Sequence, residues 1–367
     1  MKIIQLVYSL ASGGAEKFEV GLSNTLAELG HDVTICMILR DDNPIWTFNR
    51  QFINSNVKFH SLQLDEGFSL QKEQAINKYI RKENPDVVHC HLNVIPYIFR
   101  LAFFNRHIKF FHTIHSVADK DLELKVQYPL NRFFYRRGLI IPITISETCL
   151  NSFKKFYKIN STIHHIDNGC EPIVPSEKFA LVKAEVQSYK ISDDTVVFVH
   201  VARCSKVKNQ DLLIDAFNSL ANDGINFILL IIGIDFDSKE GMELQKRANS
   251  RIHFLGEKSY VGDYMLCADA FCLTSTYEGL PISLVEALSC GITPICTPVG
   301  GIPDVIRNGE TGYLSASLEL HSYVKAIKAF LDNRIEPERL KDLYSEKFSI
   351  KQCAKKYIDV FEHSLVR

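Results

Sequence analysis

Short runs of β-branched and aliphatic residues alternate with amphipathic stretches along nearly the whole chain. That alternation predicts parallel sheets with helices on both faces. It falls into two series. The first has strands near Ile3 to Leu10, Val33 to Leu39, Val87 to His91, Ile108 to Ile114 and Leu139 to Ile145. Its first helix, roughly Ala15 to Leu29, ends at Gly30, a good residue for a left-handed stop. The second series runs through Val196 to Ala202, Phe227 to Gly233, His253 to Gly256, Ala270 to Thr274 and Thr293 to Cys296. Between them, residues 168 to 192 are less regular and hold Pro172 and Pro175, so the linker belongs there. A chain of 367 residues exceeds the usual size of one core. The expected division is 1–170, 171–349 and a last helix over 350–367 that crosses back to the first domain. Two doubly wound domains in tandem put their ligands outside the carboxyl ends of the strands, where the domains face one another across a cleft.

Apolar residues make up 46% of the chain and charged ones 23%, as in an ordinary folded protein. Lys, Arg, Asp and Glu give residues 1–170 a net +4 and the remainder −5. That asymmetry is too small to argue for nucleic acid. Ten cysteines lie scattered, with no Cys-x-x-Cys pair and several inside strand-like runs. They suit buried free thiols in a reducing compartment better than disulfides or zinc. The N-terminus enters a strand pattern directly, and no apolar run nears the 18 residues of a membrane span. The expected location is the cytoplasm, or the inner face of a membrane.

The residues from Ser275 to Gly291 set two carboxylates, Glu278 and Glu286, around a strand-to-helix turn. Pro281 fits the first helical position, where its missing N–H costs nothing. The free amides of Gly279, Leu280 and Ile282 around Pro281, with the positive end of the helix dipole, then favour an anion above the turn. A carboxylate beside a phosphate is repulsive, so Glu278 and Glu286 are better explained by sugar hydroxyls, which a carboxylate accepts strongly. Arg203 and Lys208 follow a central strand of the second domain, where two cations would neutralise a diphosphate. Gly13 and Gly14 let backbone amides approach such a group at a helix start. His89 and His91 share one face of a buried strand, and a structural or cleft-lining role fits them better than a metal pair without a third ligand. Asp235-Phe236-Asp237 reads as a loop rather than a metal site. Arg132 to Arg137, with Arg100 to Lys109, suits contact with anionic lipid and equally a solvated helix face.

In order along the chain stand Ser12-Gly13-Gly14-Ala15-Glu16, Asp86 to His91, Thr113-Ile114-His115-Ser116, Ile145-Ser146-Glu147 and Asn168-Gly169. After them come Val201 to Asn209, the two-glutamate segment, Val299 to Asp304 and Asn308 to Leu314. Taken together they resemble the family-four retaining glycosyltransferases, glycosyl transferases of group 1, over nearly the whole chain. The resemblance implies the GT-B fold, α/β with two doubly wound Rossmann-like domains facing an inter-domain cleft. Of these, 1–170 would bind the acceptor and 171–349 the nucleotide sugar. It implies a metal-independent hexosyl- or N-acetylhexosaminyltransferase without a resident cofactor. The donor would be a nucleotide diphosphate sugar, a UDP-sugar first, and the acceptor a glycan or lipid-linked glycan of cell-surface polysaccharide. Glu278 would hold donor hydroxyls, Glu286 the nucleotide ribose, and His115 would lie near the reacting sugar. Ala202 stands where the family has glycine, a small departure. The rival readings are a sugar-nucleotide epimerase on the same frame and a non-catalytic partner subunit. A nicotinamide oxidoreductase lacks its glycine fingerprint in the first turn.

Overall fold

The structure, a computed structural model, describes residues 1–119, 127–160 and 162–366. The chain forms two compact units, one of Met1–Glu171 with Lys347–Arg367, the other of Pro172–Glu346.

The first unit is built on seven parallel strands: β1 Lys2–Val7, β2 Asp32–Leu39, β3 Lys58–Leu64, β4 Val87–His91, β5 Lys109–Ile114, β6 Ile141–Thr144 and β7 His164–His165. Their spatial order is β3-β2-β1-β4-β5-β6-β7. The second unit has β8 Val196–Val201, β9 Phe227–Ile232, β10 Ile252–Gly256, β11 Ala270–Leu273, β12 Thr293–Cys296 and β13 Tyr313–Leu314, ordered β10-β9-β8-β11-β12-β13. In each sheet the order reverses beside the first strand, between β1 and β4 and between β8 and β11. That crevice is where open α/β sheets bind ligands.

Central strands such as β9 are fully buried and continuously apolar, as a sheet covered on both faces requires. Three strands escaped the sequence reading. β3 is a half-exposed edge whose pairing with β2 shifts register between Met37 and Leu39, and β7 and β13 are two residues each. Helix starts follow side-chain caps, with Ser69, Ser146 and Ser238 accepting from backbone amides three residues on. One correction concerns the turn after β11. Pro281, with φ −66° and ψ 129°, is the extended cap, and the helix proper is Ile282–Cys290.

In the first unit alternation sorts chemistry to opposite faces. Ile4, Leu6, Val88 and Cys90 join an apolar core with Ile76, Ile80 and Leu101. The other face carries Gln5, His89, His91 and Thr113, and the helices Gly14–Glu28 and Ile350–Leu365 lie together over it. Helix Ile350–Leu365 is thus part of the first unit, with Phe361 against Phe111 at 4.6 Å and Tyr357 hydrogen-bonded to Thr113. Its approach fixes Gly169. A Cβ there would sit 3.0 Å from the carbonyl oxygen of Phe348, tighter than ordinary contact. The amide of Cys170 donates to that same carbonyl, and the amide of Ile350 donates to Cys170.

Candidate active site

In the second unit the residues that follow β8 form a tightly bonded loop. The amide of Cys204 donates to Ile234, and the Gln210 side chain reaches back to both ends of the turn, donating to the Arg203 carbonyl and accepting from the Ser205 amide. Gln210 is held by His200, inside β8. His200 Nδ1 donates to the Cys272 carbonyl of β11, so its Nε2 accepts from Gln210. Burial, opposed by that carbonyl bond, pushes the His200 pKa down to about 4. It is neutral at physiological pH, a fixed strut between the two strands at the switch point.

The loop delivers Lys208 to Glu278. Lys208 Nζ lies 2.6 Å from Glu278 Oε1, and the same oxygen accepts from Ser275 Oγ at 2.5 Å. Both partners are mostly buried, with side-chain exposures of 23% and 10%. Thr274 and Thr276 tie the strand end to the loop through the carbonyls of Lys208 and Val207. A third segment closes the arrangement. Gly300, with φ +55°, runs against the Glu278 carbonyl so closely that a Cβ would overlap it, and the Gly301 amide donates to Gly279 at 2.6 Å. Only glycine satisfies both the left-handed backbone and the close approach. Glu286 is buried one turn into helix Ile282–Cys290, and Arg203 is exposed with no ion pair among the described residues.

The first unit gathers its candidates at the matching place. Gly13 caps helix Gly14–Glu28 in an extended conformation that any residue adopts, so its glycine supplies room rather than flexibility. A Cβ would meet the end of the Glu16 side chain. His115 follows β5, and its Nε2 is 3.1 Å from His91 Nδ1, while His91 Nε2 is 3.0 Å from Gln5 Oε1. Phe18 sets its edge against His115 at 5.8 Å. His89 bonds Thr113 at 2.7 Å, and His112, on the other face, bonds Tyr135 and the Leu92 carbonyl. Burial lowers all four pKa values, His115 to about 3 and His112 to about 4, with neighbouring imidazoles adding to the effect at His89 and His91 and the His112 imidazole at His115. Among the described residues no group of three or more His, Cys, Asp or Glu could hold a metal ion. Asp235, at φ +66°, and Asp237 lie in a turn after β9.

The structure therefore brings Lys208 to Glu278, sets Arg203 on the same loop, and groups His115 with His91. Sequence reasoning missed Gln5, His200, Ser275 and Gln210. The available signal was a polar side chain inside an otherwise apolar strand, Gln5 in β1 and His200 in β8.

Two doubly wound parallel sheets, each furnished at its switch point, define a protein of the GT-B class. Solved structures agree. A glycosyltransferase from Rickettsia africae ESF-5 superposes with a TM-score of 0.82 at 17% identity, covering 99% of this chain and 98% of that one. Anabaena Alr3699/HepE in complex with UDP gives 0.80 at 17% identity, over 99% and 100%. In sequence, the model for glycosyl transferases group 1 matches residues 182–345, and that for Glycosyltransferase Family 4 matches residues 12–172. The chain belongs to the group 1 glycosyltransferases of family 4, and glycosyl transfer is its class of activity. The N-acetyl-alpha-D-glucosaminyl L-malate synthase of Bacillus anthracis is 24% identical over 95% of this chain and 93% of its own. The UDP-Gal:alpha-D-GlcNAc-diphosphoundecaprenol alpha-1,3-galactosyltransferase of Escherichia coli is 23% identical over 82% and 81%.

Proposed function

We propose that the protein moves a hexosyl or N-acetylhexosaminyl group from a UDP-sugar to a hydroxyl of a glycan or lipid-linked glycan, with retention at the anomeric carbon, in cell-surface polysaccharide synthesis. The observation that carries this reading is the Lys208–Glu278 pair beside Arg203 at the β8/β11 switch point. The E. coli relative and the Anabaena structure, whose names include UDP-Gal and UDP, support the choice of base.

A diphosphate carries more negative charge than a carboxylate, so on binding it competes for Lys208. Glu278 is then free to accept hydrogen bonds from donor hydroxyls, and Glu286 from the nucleotide ribose. As the bond from the anomeric carbon to the β-phosphate oxygen breaks, its electron pair stays on the phosphate. Arg203, Lys208 and amides over Gly279, Leu280 and Ile282 stabilise that charge, so the cations of the chain do the work elsewhere done by a metal. Gly13 and Gly14 offer a second approach to the diphosphate in the first unit. The acceptor hydroxyl attacks from the face the phosphate leaves, and its proton passes to a phosphate oxygen. His115 contacts the reacting sugar, and the first unit binds the acceptor.

Contact with anionic lipid suits a lipid-linked acceptor. Phe103, Phe104, Leu130 and Phe133 are exposed on helices Phe99–Phe104 and Gln127–Arg136, alongside Arg106, Arg136 and Arg137. No helix among the described residues is long and apolar enough to cross a membrane. Retention by vesicles containing anionic lipid, lost at high salt, is the expected result.

The test of the donor site is the melting temperature with UDP, GDP and ADP under excess chelator. Selective stabilisation by UDP is expected, and Lys208→Ala should abolish it while leaving the unliganded protein folded. Lys208→Ala should also lower turnover about 10²–10³-fold. Stabilisation by no nucleotide sinks the reading.

A further inference from the structure

His115 ends a line of three side chains that determines where its proton sits. Gln5, in the middle of β1, presents its carbonyl Oε1 to His91 Nε2 at 3.0 Å. An oxygen of that kind only accepts, so His91 carries its proton on Nε2. Burial, with His89 and His115 nearby, holds the His91 pKa far below its ordinary value, so the ring is neutral and has one N–H. Its Nδ1 is consequently an acceptor, and His115 Nε2, at 3.1 Å, must be the donor. The proton of His115 is then on Nε2, and its Nδ1 is a lone pair able to accept.

We propose that Gln5 and His91 are positioning residues that hold His115 in its Nε2–H form, so that His115 Nδ1 accepts a hydrogen bond from a hydroxyl of the sugar substrate. The inference rests on the reading of His115 as the residue that meets the sugar. Its consequence is chemical selectivity. An acceptor at that atom suits a hydroxyl or an amide N–H and disfavours a carboxylate, whose oxygens only accept. Gln5 is also difficult to explain as packing. It is fully buried in a strand of aliphatic residues, and its Nε2 has no hydrogen-bond partner, a costly arrangement unless its oxygen serves a purpose.

The test is the imidazole nitrogen spectrum of the whole protein labelled with ¹⁵N-histidine, with His115 assigned by its loss in His115→Ala. In the unsubstituted protein His115 should show a protonated Nε2 and a lone-pair Nδ1. Gln5→Leu removes the acceptor for His91, whose proton is then better placed on Nδ1 facing His115. The line should reverse, leaving His115 protonated on Nδ1 and turnover lowered about tenfold, with stabilisation by UDP unchanged. A proton on Nδ1 of His115 in the unsubstituted protein overturns the proposal, as does an unaltered His115 in folded Gln5→Leu. If Gln5→Leu does not fold, His91→Phe keeps an aromatic ring without the acceptor. There His115 should exchange between both forms, and a single unchanged form counts against the relay. His115→Ala at full turnover defeats the sugar contact instead, and with it the reading of that residue, while the tautomer result stands on its own.

Discussion

Both units run their strands in the same order out from the switch point, yet they furnish it with opposite kinds of polarity. In the first, Gln5, His89, His91 and Thr113 form a neutral network of imidazole, amide and hydroxyl groups, all at most 1% exposed. In the second, a neutral His200–Gln210 pair lies as deep, but the loop and turn beyond the strand ends add an ammonium and a carboxylate, Lys208 and Glu278, whose side chains keep 23% and 10% of their exposure. Neutral groups can be buried deep provided they are hydrogen-bonded, whereas a charge pair buried as deeply loses more in desolvation than it regains. On the proposed reading, a surface that sorts hydroxyls can therefore lie inside the first unit, and one that takes up a diphosphate keeps some access to water in the second.

Acid should separate the two units most strongly. An unfolded histidine takes up its proton near pH 6.5, whereas folded His112 and His200 do so only at about 4, so stability is complete above pH 6.5 and falls as the pH drops between those values. Each fully buried histidine costs about 1.4 kcal/mol per pH unit in that window. The first unit holds His89, His91 and His115 besides His112, and the second holds His200. Glu19 and Glu171, whose folded forms bind the proton more tightly, oppose this in the first unit, and only Glu19 is shifted as far. Fluorescence of Trp46, the single tryptophan and a residue of the first unit, should change at higher pH than the main far-ultraviolet dichroism signal. Coincident transitions would erase the contrast.

A matched pair of glycines sharpens it further. Gly300→Ala forces a side chain into the Glu278 backbone at a left-handed residue and should cost roughly 2–4 kcal/mol, together with the response to UDP. Gly169→Ala, crowded by Phe348 and Cys353, should cost about 1–3 kcal/mol and leave that response intact. Melting with and without UDP reads both. The smallest effect is the helix caps. Ser146→Ala in the first unit and Ser238→Ala in the second should each cost about 1 kcal/mol in urea unfolding, because capping is local and indifferent to what the sheet carries.

The alternation of the chain made ten of the thirteen strands among the described residues legible, since each is long enough for its apolar run to be seen. β7 and β13, at two residues, have no period to read, and β3 turns through Gln63 at φ +57°. Glu278 and Lys208 could be named because they sit beside recognisable turns. Their contact could not, because 70 residues separate them, just as 86 separate Gln5 from His91. Pro281 was placed one residue too far into its helix, because the sequence shows a proline near the start without showing which side of the cap it takes.

The return of helix Ile350–Leu365 to the first unit also sets an order of events during synthesis. Tyr357 and Phe361, which cover His89, leave the ribosome only after all of Pro172–Glu346 has been made. At 5–20 residues per second that is a delay of roughly 10 to 35 seconds. Through that interval the sheet bearing Gln5, His89 and Thr113 lacks its last cover, although it was translated first. The second unit, contiguous in the chain, has its whole sequence before the first does.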